Sequence, residues 1–189
     1  MAEKLQNETI LVNGYAYPSI APETLDAWLP SLTFLSAFSY GFTEDGQIID
    51  LQDENLRLPA REAGVQSLLV LTPLDRQGVF NNQLVKALLE NIPAQEQLIE
   101  NLLQIVRVKG FFGVDFDFEF VYAENRDAYT DLVRRARERL NAAGYLVTVA
   151  LAPKTSADQP GLLYQGHDYG GMGQAANFAL LMTYEWGYT

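Results

Sequence analysis

Apolar positions along this chain recur with two periods, and the segments that carry them alternate. Ile10 to Tyr17 reads as a first strand, stopped by Pro18. A short helix follows, opened by Ala21-Pro22-Glu23-Thr24, with Leu25, Trp28 and Leu29 on its apolar face. Thr33 to Phe42 is an aromatic-rich second strand, and Thr43-Glu44-Asp45-Gly46 a turn that opens an excursion up to Asp53. Glu54 to Ala63 reads as a helix ended by Gly64. Val65 to Leu71 reads as a buried third strand closed by Thr72-Pro73. Helices are predicted over Asn82 to Glu90 and Pro93 to Val108; in the second, Leu98, Ile99, Leu102, Ile105 and Val106 fall at helical spacing. Phe111 to Val121 is a fourth strand and Asn125 to Ala143 a helix ended by Gly144. Tyr145 to Ala152 is a fifth strand, stopped by Pro153. A glycine-rich stretch with a short helix around Tyr169 to Ala175 leads to a sixth strand, Phe178 to Tyr184.

Most of these strands are apolar runs of the kind covered on both faces, which implies parallel strands joined by helical crossovers. Two architectures fit: a doubly wound open sheet, or a (β/α)8 barrel of which this chain holds the first six units. No Gly-x-Gly-x-x-Gly or P-loop follows any strand, which weakens nucleotide-binding readings. Polar side chains cluster instead at the C-terminal strand ends: Tyr15 and Tyr17, Ser39 and Tyr40, Asp117 and Glu119, Lys154, Tyr184 and Glu185. Barrel enzymes build their sites at that end.

The run Val114-Asp115-Phe116-Asp117-Phe118-Glu119 stands out. As a strand it places three carboxylates on one face and three large apolar side chains on the other. Same-face neighbours lie roughly 6.5–7 Å apart, so the acids repel one another and one of them is expected to hold a proton near neutral pH. A protonated acid beside ionised ones suits general-acid chemistry. A magnesium or calcium site is the competing reading, since hard cations take oxygen ligands. An exposed acidic strand face is the third, and the flanking Gly110-Phe111-Phe112-Gly113 and Phe120-Val121-Tyr122 are too apolar for it.

The chain of 189 residues is 48% hydrophobic and 20% charged, enough for one domain with a core. With 24 acidic and 13 basic residues the formal net charge is −11, which disfavours nucleic-acid phosphates as partners. Arg134, Arg135, Arg137, Glu138 and Arg139 lie off the apolar stripe of their helix and read as a solvated face. Absence of cysteine excludes disulfides and a thiol nucleophile. Met1 to Glu8 holds no apolar core of a signal peptide, and no run reaches the roughly 18 apolar residues of a membrane span. The lone histidine, His167, stands beside Asp168 and reads as a loop or helix-cap residue.

Two motifs on separate strands resemble those of glycoside hydrolase family 18, the chitinase-like barrels. The fourth-strand pattern Asp-x-x-Asp-x-Asp-x-Glu is matched by Phe112-x-x-Asp115-x-Asp117-x-Glu119. The sixth-strand Met-x-Tyr followed by an acid is matched by Met182-Thr183-Tyr184-Glu185. The segments Arg126-Asp127-Ala128-Tyr129, Gly144-Tyr145-Leu146-Val147, Ala150 to Ala157, Gly166-His167-Asp168-Tyr169 and Leu181 to Gly187 are similar to the spore-associated branch, the cortex-lytic N-acetylglucosaminidases. Phe112 replaces the first acid of the motif, Asp115 stands where that branch often has Asn, and Glu185 replaces the common Asp. Because the family barrel has eight strands, the resemblance implies that residues 1–189 form part of one catalytic domain.

The resemblance further implies a substrate-assisted retaining mechanism. Glu119 would be the general acid. Asp117 would orient the 2-acetamido group, Tyr184 would hold its carbonyl oxygen, and Asp115 would tune Asp117. Tyr15, Tyr40, Glu185 and Trp186 would contact the sugar. The implied partner is peptidoglycan or a chitin-type polysaccharide, met in the spore coat, cortex or cell wall, with no cofactor, metal, nucleic acid or membrane. A chitinase-like protein that binds N-acetylglucosamine polymers without cutting them remains the alternative. A six-strand sheet would also carry two open edges, a recognised route to self-association.

Overall fold

A computed structural model describes residues 10–184. Six parallel strands follow one another in chain order: β1 (Asn13–Ala16), β2 (Phe34–Phe42), β4 (Gln66–Leu71), β5 (Gly113–Phe116), β6 (Leu146–Leu151) and β7 (Phe178–Leu181). The two-residue β3 (Ile48–Ile49) pairs antiparallel to the end of β2, within the excursion expected before Asp53. Helices α1 (Pro22–Trp28), α2 (Glu54–Glu62), α3 (Asn82–Leu89), α4 (Ile92–Lys109), α5 (Arg126–Ala142), α6 (Leu162–Gln165) and α7 (Tyr169–Ala175) fill the crossovers. The strand order never reverses. A doubly wound sheet reverses at its switch point, so this progression selects the barrel over the open sheet.

One hydrogen bond reports the curvature. The Tyr15 hydroxyl on β1 donates to Asp115 on β5 at 2.7 Å, although β2 and β4 lie between those strands. In a flat sheet, three inter-strand spacings separate β1 from β5 by roughly 14 Å. A tyrosine bridges them only because the sheet curls round its interior. Among the described residues β1 and β7 end the path, each with a single strand neighbour.

The pleat sorts side chains to the two faces. Leu35, Leu69, Leu71, Val114, Phe116, Val147, Val149 and Leu151 point outward into one cluster with Leu98, Leu102, Leu132, Val133 and Val106 of the helices. Inside, Phe34, Leu68 and Leu146 make a smaller apolar layer at the N-terminal ends of the strands, packed against Phe112. Helix ends agree with their residue chemistry. Asn81 accepts from the amides of Gln83 and Leu84 and Asn91 from that of Ala94, so both α3 and α4 are capped. Gly110, at φ 76°, ends α4 and turns the chain directly into β5.

Strand ladders are shorter than the apolar runs predict. β5 pairs over Gly113–Phe116 rather than 111–121: β4 ends at Leu71, opposite Phe116, and the pairing with β6 stops at Val149 although β6 runs on to Leu151. The Asp117 amide makes one more bond, to Leu71 O at 2.9 Å. The alternation outlives the ladder: Phe118 is fully buried in the outer cluster.

Tyr40, expected to stack on a sugar, is a core residue. A register shift between Ala37 and Tyr40 in the β2–β4 pairing turns Tyr40 to the helix-facing side. There it is fully buried, edge-on to Phe111 at 5.9 Å. Its hydroxyl donates to buried Asp53 at 2.7 Å and accepts from Lys109 Nζ at 2.9 Å, and Arg57 Nε also donates to Asp53 at 2.8 Å. Tyr40→Phe is expected to cost about 1–3 kcal/mol in urea unfolding, because Asp53 loses a buried donor, while leaving glycan affinity unchanged. Lost affinity with unaltered stability would restore Tyr40 to the site.

Candidate active site

The interior of the curled sheet becomes polar above its apolar floor. Ser36 on β2 donates to Asn13 on β1 at 2.9 Å. At the next level, Asp115 is 1% exposed and both of its oxygens are engaged, one by Tyr15 and the other by Thr148 Oγ1. Thr148 reaches it because the β5–β6 register sets the two residues side by side. Burial pushes the Asp115 carboxyl above the usual aspartate range, and the bonds from Thr148 and Tyr15 oppose that only in part. Burial, then the nearby Asp115 charge, pushes the Tyr15 phenol far up, so Tyr15 stays a proton donor.

Beyond this layer, at the C-terminal end of the strands, a cavity of about 300 Å³ opens. Asp117 and Glu119 line it together with Tyr15 and Tyr184, and Ala16, Tyr17, Phe38, Ala150 and Met182 complete the wall. Tyr17 and Phe38 pack edge to face at 5.1 Å. The volume is at the small end of ligand pockets, and the mixture of aromatic walls with a few convergent polar groups is typical of them. Asp117 is nearly buried, Glu119 partly open, and Tyr184 exposed. Four of the expected site residues thus meet at one cavity, with Asp115 directly beneath. Tyr40 does not join them, and Glu185 and Trp186 lie outside the described residues. No set of three His, Asp or Glu side chains converges in a metal-binding arrangement among the described residues.

The segment that bears the acids is held from the side. His167 is fully buried. The Ala152 amide donates to its Nδ1 at 3.2 Å, so Nε2 carries the ring proton and donates to the Phe118 carbonyl at 2.9 Å. Burial pushes this imidazole below its ordinary value, which keeps it neutral and preserves both bonds. Phe118 stacks on Tyr129 at 5.3 Å and on Phe42 at 5.3 Å. His167 is therefore a structural loop residue, as its sequence setting suggests, and it ties the end of β6 to the peptide between Asp117 and Glu119. Thr148 and Phe38 escape sequence reasoning, because only strand register and the β2 irregularity place them.

The fold is that of an α/β barrel with a polar cavity at the C-terminal end of its strands. Residues 81–188 match the family model of the glycosyl hydrolases family 18, and the chain belongs to that family. It is 36% identical over 160 residues to the cortical fragment-lytic enzyme of Bacillus subtilis strain 168, a match covering 85% of this chain and 37% of that protein. It superposes with a TM-score of 0.86 on the crystal structure of the spore cortex-lytic enzyme SleL of Bacillus megaterium QM B1551, at 33% identity, covering 96% of this chain and 44% of that one. A class V chitinase from Pseudomonas fluorescens Pf-5 shares the fold with a TM-score of 0.86 at 23% identity, over 92% of this chain and 54% of that one. The chain spans less than half the length of the two cortex-lytic relatives.

The buried Asp115 has a consequence for stability. A carboxyl whose folded-state pKa is raised stabilises the fold most below the unfolded value, and that contribution is lost as pH rises through the folded value. Asp115→Asn, isosteric and uncharged, is expected to raise the urea midpoint at pH 8 relative to the parent. The gain should vanish at acid pH, where Asp115 is neutral in both states. Equal midpoints at pH 8, or a destabilised variant there, would show that the Thr148 and Tyr15 bonds outweigh the burial.

Proposed function

We propose that the chain forms part of the catalytic domain of a retaining β-N-acetylglucosaminidase acting on peptidoglycan, with spore cortex as the substrate its relatives' names point to. The observation that carries this reading is the meeting of Asp117, Glu119, Tyr15 and Tyr184 at one cavity on the C-terminal side of a barrel sheet, the face where barrel enzymes act. Bonds β-1,4 from N-acetylglucosamine would be cut, and the site of action would be extracytoplasmic, in the cortex or cell wall.

Glu119, at the open edge of the cavity, protonates the glycosidic oxygen. The substrate's own 2-acetamido carbonyl attacks the anomeric carbon as the leaving group departs, giving an oxazolinium ion. Asp117, set deeper, accepts a hydrogen bond from the acetamido N–H and offsets the positive charge that develops there. Tyr184 donates to the acetamido oxygen. Water deprotonated by Glu119 then opens the oxazolinium at the anomeric carbon, with net retention. Asp115 touches no substrate; it sets the field beneath Asp117, and Tyr15 holds it in place while presenting its ring to the cavity. Tyr17 and Phe38 offer the apolar faces on which a sugar ring stacks. The two strand edges at β1 and β7 would associate with further chain, either within a barrel or between copies.

The test is mass spectrometry of soluble products after the protein digests purified cortex peptidoglycan, with Glu119→Gln in parallel. Fragments ending in reducing N-acetylglucosamine are expected from the parent, and release should fall about 100- to 10,000-fold in the variant. Undiminished release by Glu119→Gln would sink the assignment. Sedimentation of both proteins with the polymer and no release by either would make the protein a binder of N-acetylglucosamine polymers.

A further inference from the structure

Three of the segments that resemble the spore-associated branch meet at a second cavity, of about 260 Å³, on the same end of the sheet as Glu119. Arg126 comes from the start of α5, Lys154, Thr155 and Ser156 from the loop after β6, and Asp168 and Tyr169 from the start of α7. None of them belongs to the acid motif. Some have structural duties: the Tyr169 hydroxyl bonds Ala152 O at 2.5 Å and takes the Lys154 amide at 2.9 Å. The charged heads are less occupied. Lys154 Nζ spends one of its three donors on the His167 carbonyl at 2.8 Å, and no carboxylate pairs with it among the described residues. Arg126 meets Asp168 at 3.1 Å through a single nitrogen of its five-donor fork. The lining holds two cations against one acid, with Asp158 acting on Lys154 from outside it, on a chain of net charge −11. Burial, and after it the neighbouring Arg126, lowers the Lys154 ammonium, and Asp168 and Asp158 offset that only in part, so a further anion beside Lys154 would favour its charged form.

We infer that this rim cavity is a binding site for a carboxylate carried by the glycan substrate. The inference rests on the proposed action on peptidoglycan and deepens it. Peptidoglycan carries carboxylates on its acidic peptide stems, and on the lactyl ether of those muramyl sugars that bear no stem, whereas chitin has none. A rim site that presents Arg126 and Lys154 beside the acid-lined sugar pocket would therefore separate the two polymers. Elsewhere the acidic surface repels such a glycan, so a local pair of cations is where it can be drawn in. Lys154 further links this cavity to the active site, since its His167 partner bonds the Phe118 carbonyl next to Glu119.

The test is titration of the isotope-labelled protein, followed by backbone amide NMR, with three separate probes: the free stem tripeptide, N-acetylmuramic acid, and N-acetylglucosamine as the neutral control. Saturable shifts at residues 154–156 and 168–170 are expected with one of the two acidic probes, and which one responds assigns the carboxylate to stem or sugar. Lys154→Met should weaken that binding roughly five- to tenfold. Ser156→Asp, at an exposed loop position that leaves the Lys154–His167 bond intact, should do the same by repulsion. Glu119→Gln should bind the acidic probe like the parent. No saturable shift with either acid, or equal shifts with N-acetylglucosamine, overturns the rim site. Because this readout needs no cleavage, its failure is separate from failure of the glycosidase reading, which product analysis decides.

Discussion

The structure depends on Phe116 and Phe118 being buried outward while Asp117 and Glu119 face inward. A carboxylate has no affinity for a protein interior and would leave it if it could. It stays because its neighbours in the chain cannot move. Phe118 is clamped between Phe42 and Tyr129 and meets Phe116 edge-on at 5.8 Å. Burying two such rings contributes several kcal/mol, and period-two geometry converts that into fixed directions for the acids. The outer hydrophobic cluster thus works as the positioning device of the inner polar site, which a loop of similar sequence could not be.

The interior then sets a cost against a benefit. Asp115 lies beneath the cavity, out of water, and two hydroxyls from strands on opposite sides of it only partly offset the burial. Natural proteins retain such unfavourable placements chiefly where chemistry needs a perturbed acid. The Tyr15 bond also crosses the curled sheet, so the same contact that steadies Asp115 braces β1 against β5. Removing either partner would disturb shape and electrostatics together, and a conservative amide replacement separates the two.

Much of this was readable from residues alone, and the exceptions have identifiable causes. Strand and helix alternation, the burial of the β2, β4, β5 and β6 runs and the pairing of Asp117 with Glu119 follow from local periodicity, whereas the outer strands β1 and β7 stay largely unburied. Tyr184 comes from a motif rather than from pattern. Tyr40 misleads because a register shift in β2 has no local signature: two residues of irregular pairing reverse which face an aromatic occupies. Thr148 and Tyr15 as partners of Asp115 are invisible locally, one because it depends on inter-strand register, the other because it lies 100 positions away in sequence. Strand ends overshoot because an apolar run does not state where its neighbours stop pairing.

The segment Gly166 to Tyr169 shows how a loop can be both scaffold and site. A Cβ on Gly166 would lie 2.2 Å from the Val121 carbonyl oxygen, so the loop approaches the acid-bearing segment as closely as backbone permits. His167 bonds both strand ends, Tyr169 bonds the β6 end twice, and Asp168 turns outward to Arg126. Side chains alternate between the two duties: His167 faces the core, Asp168 the rim, Tyr169 the strand end. A rim ligand that engages Arg126 and Lys154 therefore acts on a loop whose other side chain holds the peptide next to Glu119. Coupling of this kind needs no moving lid. It requires only that the loop be stiff, and four hydrogen bonds to strand ends make it so.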